Sequence, residues 1–211
     1  MIASILLLSR ADIKALRIKD TYSLHRVVYN LFDDIRNETE KKSSIASGIL
    51  YADKGYINAS ENKQRKILIL SNRLPNQPQH GLLSESKNIP GSFLQYDNYG
   101  FEAIINPTKR DNKTGKTVAI CGRDAVTQWF IEKAPKSWGF TIKPESMQIQ
   151  NLSVQQFAKN EHTTVTQGKA IIKGELQVTN REQFIQSFES GIGRGRAFGF
   201  GLLQIVPLID T

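Results

Sequence analysis

Two rounds of strand-like and helix-like patterning follow one another along this chain, and that alternation narrows the available folds more than any other feature of the sequence. The first round opens with Ile2 to Leu8, an apolar run of the length of a buried strand. Asp20 or Thr21 then supplies a helix N-cap ahead of Leu24, Val27, Val28, Leu31 and Phe32, which recur at helical spacing. Ser47 to Ala52 and Lys66 to Ser71 read as short strands, with the polar stretch Lys54 to Arg65 between them as a hairpin loop or a disordered tip. Asn72 to Pro90 carries Pro75, Asn76, Pro78, Gly81 and Pro90, breakers that leave room for at most one short helix.

The second round starts at Tyr99 to Ile105 and continues with a strand around Thr117 to Cys121. A helix capped by Asp124 follows, with Val126, Trp129 and Phe130 on its apolar face. Met147 to Val154 and Gly168 to Val178 are extended segments, and Thr179 with Glu182 forms a capping box before a helix bearing Phe184, Ile185 and Phe188. Leu202 to Val206 is the last strand. The order predicts an α+β protein of two tandem ferredoxin-like βαββαβ domains, with the second helix of the first round poorly marked. We place the domains at residues 1–96 and 97–211, lengths that each allow a separate core.

Between the final helix and strand, Gly191 to Gly201 packs five glycines and two arginines into eleven residues. Gly191 alone is explained as the residue after a helix, where a left-handed backbone is common. A cap does not require Gly193, Gly195, Gly199 and Gly201 as well. Glycines allow close backbone approach and leave N–H groups outward, and Arg194 and Arg196 add forked donors matched to phosphate oxygens. A P-loop is excluded because no Gly-Lys-Ser/Thr ending is present, and a dinucleotide fingerprint would put its third glycine at Arg196. Arg196 to Gly201 also resembles the third strand of an RNA-recognition motif, but the helix and strand that must follow it have no room.

The charge supports a polyanionic partner: the net charge is +8 and the isoelectric point about 9.6. Lys109, Arg110, Lys113, Lys116 and Arg123 stand against a single acidic residue, Asp111, around a turn at Asn112 to Lys116. A solvated charged hairpin accounts for any one of them; as a group they match the phosphates of an RNA stem. The Ile2 to Leu8 run is too short to span a membrane and lacks the basic flank of a signal peptide. With one cysteine, Cys121, neither an internal disulfide nor a cysteine zinc cage can form, and a cytoplasmic setting is expected.

Three histidines are present, His25, His80 and His162, with no pair at helical spacing and no acidic constellation for two metals, so neither metal nor cofactor is expected. His80 and His162 fall in polar or breaker-rich stretches. His25 shares a helix face with Tyr22 three residues before it and Tyr29 four residues after. By itself this favours a structural histidine beside aromatics over a group that moves a proton.

The spacing Gly-apolar-Gly, five residues, Gly-x-Gly resembles the glycine-rich loop of the CRISPR-associated RNA-processing endonucleases of the RAMP superfamily, and most closely the CasE-type enzymes of subtype I-E. Tyr22-Ser23-Leu24-His25 followed by Val28-Tyr29 and Leu31-Phe32 is similar to the first helix of that family, with Tyr29 in place of the usual tryptophan. Asn106-Pro107-Thr108-Lys109, Trp129 and Gly139-Phe140 extend the likeness through the middle of the chain. It departs at Glu102 and Ile104, where the family commonly has arginines.

The resemblance implies a metal-independent endoribonuclease that binds the stem-loop of each CRISPR repeat and cuts the precursor transcript at the base of the stem. It implies attack by a 2′-oxygen, leaving a 2′,3′-cyclic phosphate and a 5′-hydroxyl, with His25 as general acid or base and Tyr22 positioning the phosphate. The processed RNA is then expected to stay bound while the protein serves as a subunit of a Cascade-type surveillance complex, away from any membrane. Two other readings stay open: a non-catalytic RNA-binding module, and an acylphosphatase-like or nucleotide-binding enzyme on the same fold. The second is weakened by the lack of a phosphate motif near the N-terminus.

Overall fold

The computed structural model describes residues 1–35, 39, 47–59, 62–160 and 163–209. It forms two compact units: Met1–Ile89 together with Ala197–Gly199, and Pro90–Arg196 together with Phe200–Thr211.

The first unit runs β1 (Ile2–Leu8), α1 (Arg10–Ala15), α2 (Thr21–Tyr29), β2 (Ile49–Ala59), β3 (Asn62–Ser71) and β4 (Leu82–Asn88). Its sheet has the order β2-β3-β1-β4 with every neighbour antiparallel, the arrangement of a ferredoxin-like domain. The passage between β3 and β4 contains no helix. Pro75 and Pro78 each remove a backbone donor there, which disfavours one.

Asp20 is the cap that starts α2: its carboxylate accepts from Ser23 N at 2.8 Å, and Ser23 Oγ accepts in return from Asp20 N at 2.9 Å. One turn on, Leu24 and Val28 are buried and pack with Leu6, Leu8, Ile49, Tyr51, Ile67 and Ile69 into one core. Each such buried aliphatic side chain contributes about 1.5–3 kcal/mol relative to exposure.

Two expectations for this region are corrected. Lys54 to Arg65 is not a loop, because β2 and β3 continue through nearly all of it, and residues 60 and 61 lie outside the described structure. Its polar side chains are compatible with strand because backbone pairing holds the hairpin, helped by Asp53, which accepts from Arg65 at 2.6 Å beside an irregularity in the register. Within the breaker-rich passage, Leu82–Asn88 is a strand. It is an edge strand exposed on both faces, so its sequence shows no apolar alternation, and Glu85 and Lys87 charge it as edges commonly are.

The second unit runs β5 (Asn98–Ile105), β6 (Thr108–Arg110), β7 (Thr117–Ala119), α3 (Arg123–Ser137), β8 (Phe140–Ile142), β9 (Gln148–Asn160), β10 (Thr163–Val178), α4 (Arg181–Ser190) and β11 (Leu203–Pro207). The sheet order is β11-β5-β10-β8, again ferredoxin-like, and β9 pairs with the other half of β10. β6 and β7 form a separate two-stranded ribbon. Tyr99, Phe101, Phe130, Phe140, Phe184 and Phe188 are buried in this unit, with Phe101 and Phe130 stacked at 5.7 Å and Tyr99 against Phe184 at 5.3 Å.

Both caps expected here move by one or two residues. α3 is preceded by Gly122, and Asp124 lies inside the first turn, where its charge still suits the helix dipole. α4 is capped by Asn180, whose side chain accepts from Gln183 N at 3.0 Å. The N–H groups of Thr179 and Asn180 both donate to the Gly139 carbonyl, at 2.9 and 3.0 Å, and this backbone approach sets where the helix begins. Among the described residues no helix is long and apolar enough to cross a membrane.

Candidate functional site

Tyr22, His25 and Tyr29 share one face of α2, with Leu24 and Val28 buried in the core. The His25 ring lies 4.1 Å from that of Tyr29 and 6.0 Å from that of Tyr22, centroid to centroid. Tyr29 is held in turn by a 3.0 Å hydrogen bond between its hydroxyl and Ser47 Oγ. Two further neighbours come from the far end of the chain: Phe198, with its ring centroid 5.6 Å away, and the Ala197 carbonyl, 2.6 Å from His25 Nδ1.

That carbonyl defines the chemistry of the ring. A carbonyl oxygen can only accept, so Nδ1 carries the proton and donates it, and a neutral His25 presents a lone pair on Nε2. Partial burial lowers the imidazole pKa below its ordinary value, while the Ala197 carbonyl, which stabilises a protonated ring, raises it by less. At neutral pH the group is therefore mainly an unprotonated base with a fixed tautomer.

Gly191, Gly193, Gly195, Gly199 and Gly201 all have positive φ, between 73° and 82°. The loop they make closes on itself: Ile192 N donates to the Gly201 carbonyl at 2.9 Å, and Gly201 N donates to the Ile104 carbonyl at 2.7 Å. A side chain at Gly201 would run into the Ile192 carbonyl. Arg194 and Arg196 are exposed. Arg194 forms a backbone bridge with Asn106, and Arg196 Nη1 donates to the Ser190 carbonyl at 2.8 Å, closing the end of α4.

Lys109, Arg110, Lys113 and Lys116 are exposed on the β6–β7 ribbon. Its turn is held by Asp111, which accepts from Thr114 N at 2.7 Å and from Lys113 N at 3.1 Å; the Thr114 bonds lower its pKa most. Arg110 Nε donates to the Gly115 carbonyl at 3.1 Å. Arg123 is partly committed internally, donating to the Ile149 carbonyl of β9. An open cavity of about 350 Å³ in this unit is lined by Asn106, Trp129, Lys133, Arg194 and Arg196 among others.

Glu102, at the first point of departure from the expected arginines, pairs with Lys173 at 2.9 Å across β5 and β10, and Ile104 is buried. His80 is exposed between β3 and β4, and His162 lies outside the described residues. Among the described residues no group of three or more metal-ligating side chains gathers. The Ala197 carbonyl is the His25 contact that sequence patterns missed, since a backbone acceptor leaves no mark on residue type.

A family of CRISPR-associated proteins matches residues 2–207 of this chain. The chain is 28% identical over 142 residues to the CRISPR-associated endoribonuclease Cse3 of Thermus thermophilus, a match covering 63% of this chain and 62% of the relative. The fold superposes on Cse3 bound to a 19-nucleotide RNA with a TM-score of 0.78 at 18% identity, over 98% of this chain and all of that one. It also superposes on a chain of a CRISPR RNA-guided surveillance complex in a pre-nicking state, with a TM-score of 0.70 at 17% identity over 99% of this chain and all of that one. At those identities the structural likeness is one of fold.

Proposed function

Because this chain belongs to the CRISPR-associated protein family, we propose that it is an endoribonuclease that binds CRISPR repeat stem-loops and cuts precursor transcripts without a metal ion. The observation that carries this reading is the hydrogen bond from His25 Nδ1 to the Ala197 carbonyl, which leaves Nε2 as a base on an aromatic-lined helix face. The Cse3 likeness and its RNA-bound form support the substrate class.

In this reading Nε2 takes the proton of the 2′-hydroxyl as the 2′-oxygen bonds to the adjacent phosphorus. The bond from phosphorus to the 5′-oxygen breaks, and that oxygen is protonated by the imidazolium so formed or by water. The products are a 2′,3′-cyclic phosphate and a 5′-hydroxyl. Tyr22 positions the scissile phosphate. Gly191, Gly193, Gly195, Gly199 and Gly201 let the RNA backbone approach, Arg194 and Arg196 meet its phosphates, and Lys109, Arg110, Lys113, Lys116 and Arg123 follow the stem. The cut RNA stays bound, and the protein becomes a subunit of a cytoplasmic surveillance complex, a role supported by its likeness in fold to one chain of such a complex.

Incubating the protein with its cognate repeat hairpin in EDTA tests the proposal. A single cut ending in a cyclic phosphate, identified by mass spectrometry, is expected, with His25→Ala slower by about 10²–10⁴-fold, the usual contribution of a positioned proton-transfer group. Intact RNA in EDTA, or undiminished cutting by His25→Ala, refutes it.

A further inference from the structure

The glycine-rich segment serves RNA binding in the proposed function, yet three of its residues, Ala197 to Gly199, belong to the first unit with His25. We infer that this short turn is a positioning element for the cleavage reaction: Ala197 sets the tautomer of His25, and Tyr51 is the seat that holds the turn in place. The inference rests on the proposed role of His25 in proton transfer and adds residues that neither motif nor resemblance assigns.

Three observations carry it. The Ala197 carbonyl reaches Nδ1 at 2.6 Å, and a neutral imidazole can satisfy an acceptor there only by keeping its proton on that nitrogen. A free imidazole side chain is not bound to that choice, so without the carbonyl the Nε2–H form is available and its lone pair points away from the substrate side. Phe198 then packs against the ring from the same turn, so ring packing and hydrogen bond come and go together.

The second observation is at Gly199. Its φ of 81° is one that residues with a Cβ rarely adopt, and a Cβ there would stand 2.8 Å from Cε2 of Tyr51. The backbone therefore rests directly on the Tyr51 ring, two residues beyond the carbonyl that matters.

The third is Tyr51 itself, fully buried near the start of β2 opposite Ile69. Its hydroxyl has no hydrogen-bond partner among the described residues, so the ring, not the oxygen, makes the contact with Gly199. Among the described residues the titratable groups facing His25 are the phenols of Tyr22 and Tyr29 on α2; the Phe198 ring and the Ala197 carbonyl also border it.

The test is ¹⁵N NMR of the histidine side chains in the full chain, with His25 assigned by its loss in His25→Ala. The wild type should show a protonated Nδ1 and an unprotonated Nε2. Gly199→Ala and Tyr51→Ala should shift His25 toward the Nε2–H form and slow single-turnover cleavage by about tenfold or more. Binding of a hairpin made uncleavable by a 2′-deoxy residue at the cut should change by less than about threefold in Tyr51→Ala, which alters no residue assigned to RNA contact, the mark of a loss confined to the chemical step. Tyr51→Phe, which keeps the ring, should restore both the tautomer and the rate that Tyr51→Ala removes.

A wild-type His25 in the Nε2–H form overturns the inference even if no variant folds. So does a folded Tyr51→Ala that loses cleavage with the wild-type tautomer intact. Undiminished cutting by His25→Ala sinks the proposed function instead, and the NMR result still reports separately on the turn.

Discussion

Replacing Tyr51 with phenylalanine removes one oxygen and leaves the ring in place. That oxygen is buried, and no partner for it exists among the described residues. Burial drives the phenol pKa far above its ordinary range, with Tyr29 and Asp53 adding to the rise, so the group stays neutral and keeps a donor and an acceptor away from water. An unpaired buried polar group costs about 1–3 kcal/mol, and an isosteric apolar replacement leaves neither cavity nor clash. Tyr51→Phe should therefore stabilise the protein by about 1–2 kcal/mol, taking the lower part of that range because buried hydroxyls keep some weak interactions.

For a chain of this length each kcal/mol moves the thermal midpoint by about 2–4 °C, an increase that differential scanning calorimetry detects easily. Urea unfolding followed by far-UV circular dichroism gives the same quantity independently, the midpoint rising by roughly 0.5–1 M if the slope is about 2 kcal/mol/M. A loss of about 1 kcal/mol or more, the worth of an ordinary hydrogen bond, would refute the reasoning, because it means the hydroxyl has a partner and the ring is not the whole of its contribution.

Cleavage should need neutral His25, so its rate should rise about tenfold per pH unit below the His25 pKa and level off by neutral pH, that pKa being lowered by burial; a pH–rate profile falling between pH 6 and 8 contradicts this. The same shift has a stability sign: the folded state holds this proton less tightly than the unfolded state, so stability is lost as pH falls below the ordinary histidine value of about 6.5 and stops changing below the folded pKa. Gly201→Ala should cost at least about 1–2 kcal/mol in urea unfolding, from its φ of 82° alone, before the collision with the Ile192 carbonyl is counted. Changing Lys109, Arg110, Lys113 and Lys116 together to alanine should weaken hairpin binding and flatten its salt dependence by up to about 0.7–0.9 for each phosphate left without its cation; an unchanged slope removes the ribbon from the RNA interface.

What could be read from residue types was what each segment decides locally. Asp20 with Ser23, and Leu24 with Val28, mark the start and buried face of α2 because a cap and a helical period need only neighbours three or four residues away. The five positive-φ glycines are likewise legible, since few other residues accept that backbone. The edge strand Leu82–Asn88 and the polar arms of β2 and β3 were not, because their stability comes from pairing with another strand and leaves no alternation behind. Caps slipped by a residue or two for a similar reason: Thr179 and Asn180 are both good caps, and the approach of the Gly139 carbonyl chose between them.

The same division runs through the candidate site. Tyr22, His25 and Tyr29 fall on one face by spacing alone, and the sequence by itself determined that an imidazole would sit there among aromatic rings. It left undecided which ring nitrogen holds the proton. That is decided by the carbonyl of Ala197, 172 residues further along, and by the Tyr51 ring beneath Gly199. Every residue carries a backbone carbonyl, so only the fold, by bringing that one within 2.6 Å of Nδ1, turns a histidine on a helix into a base with a defined lone pair.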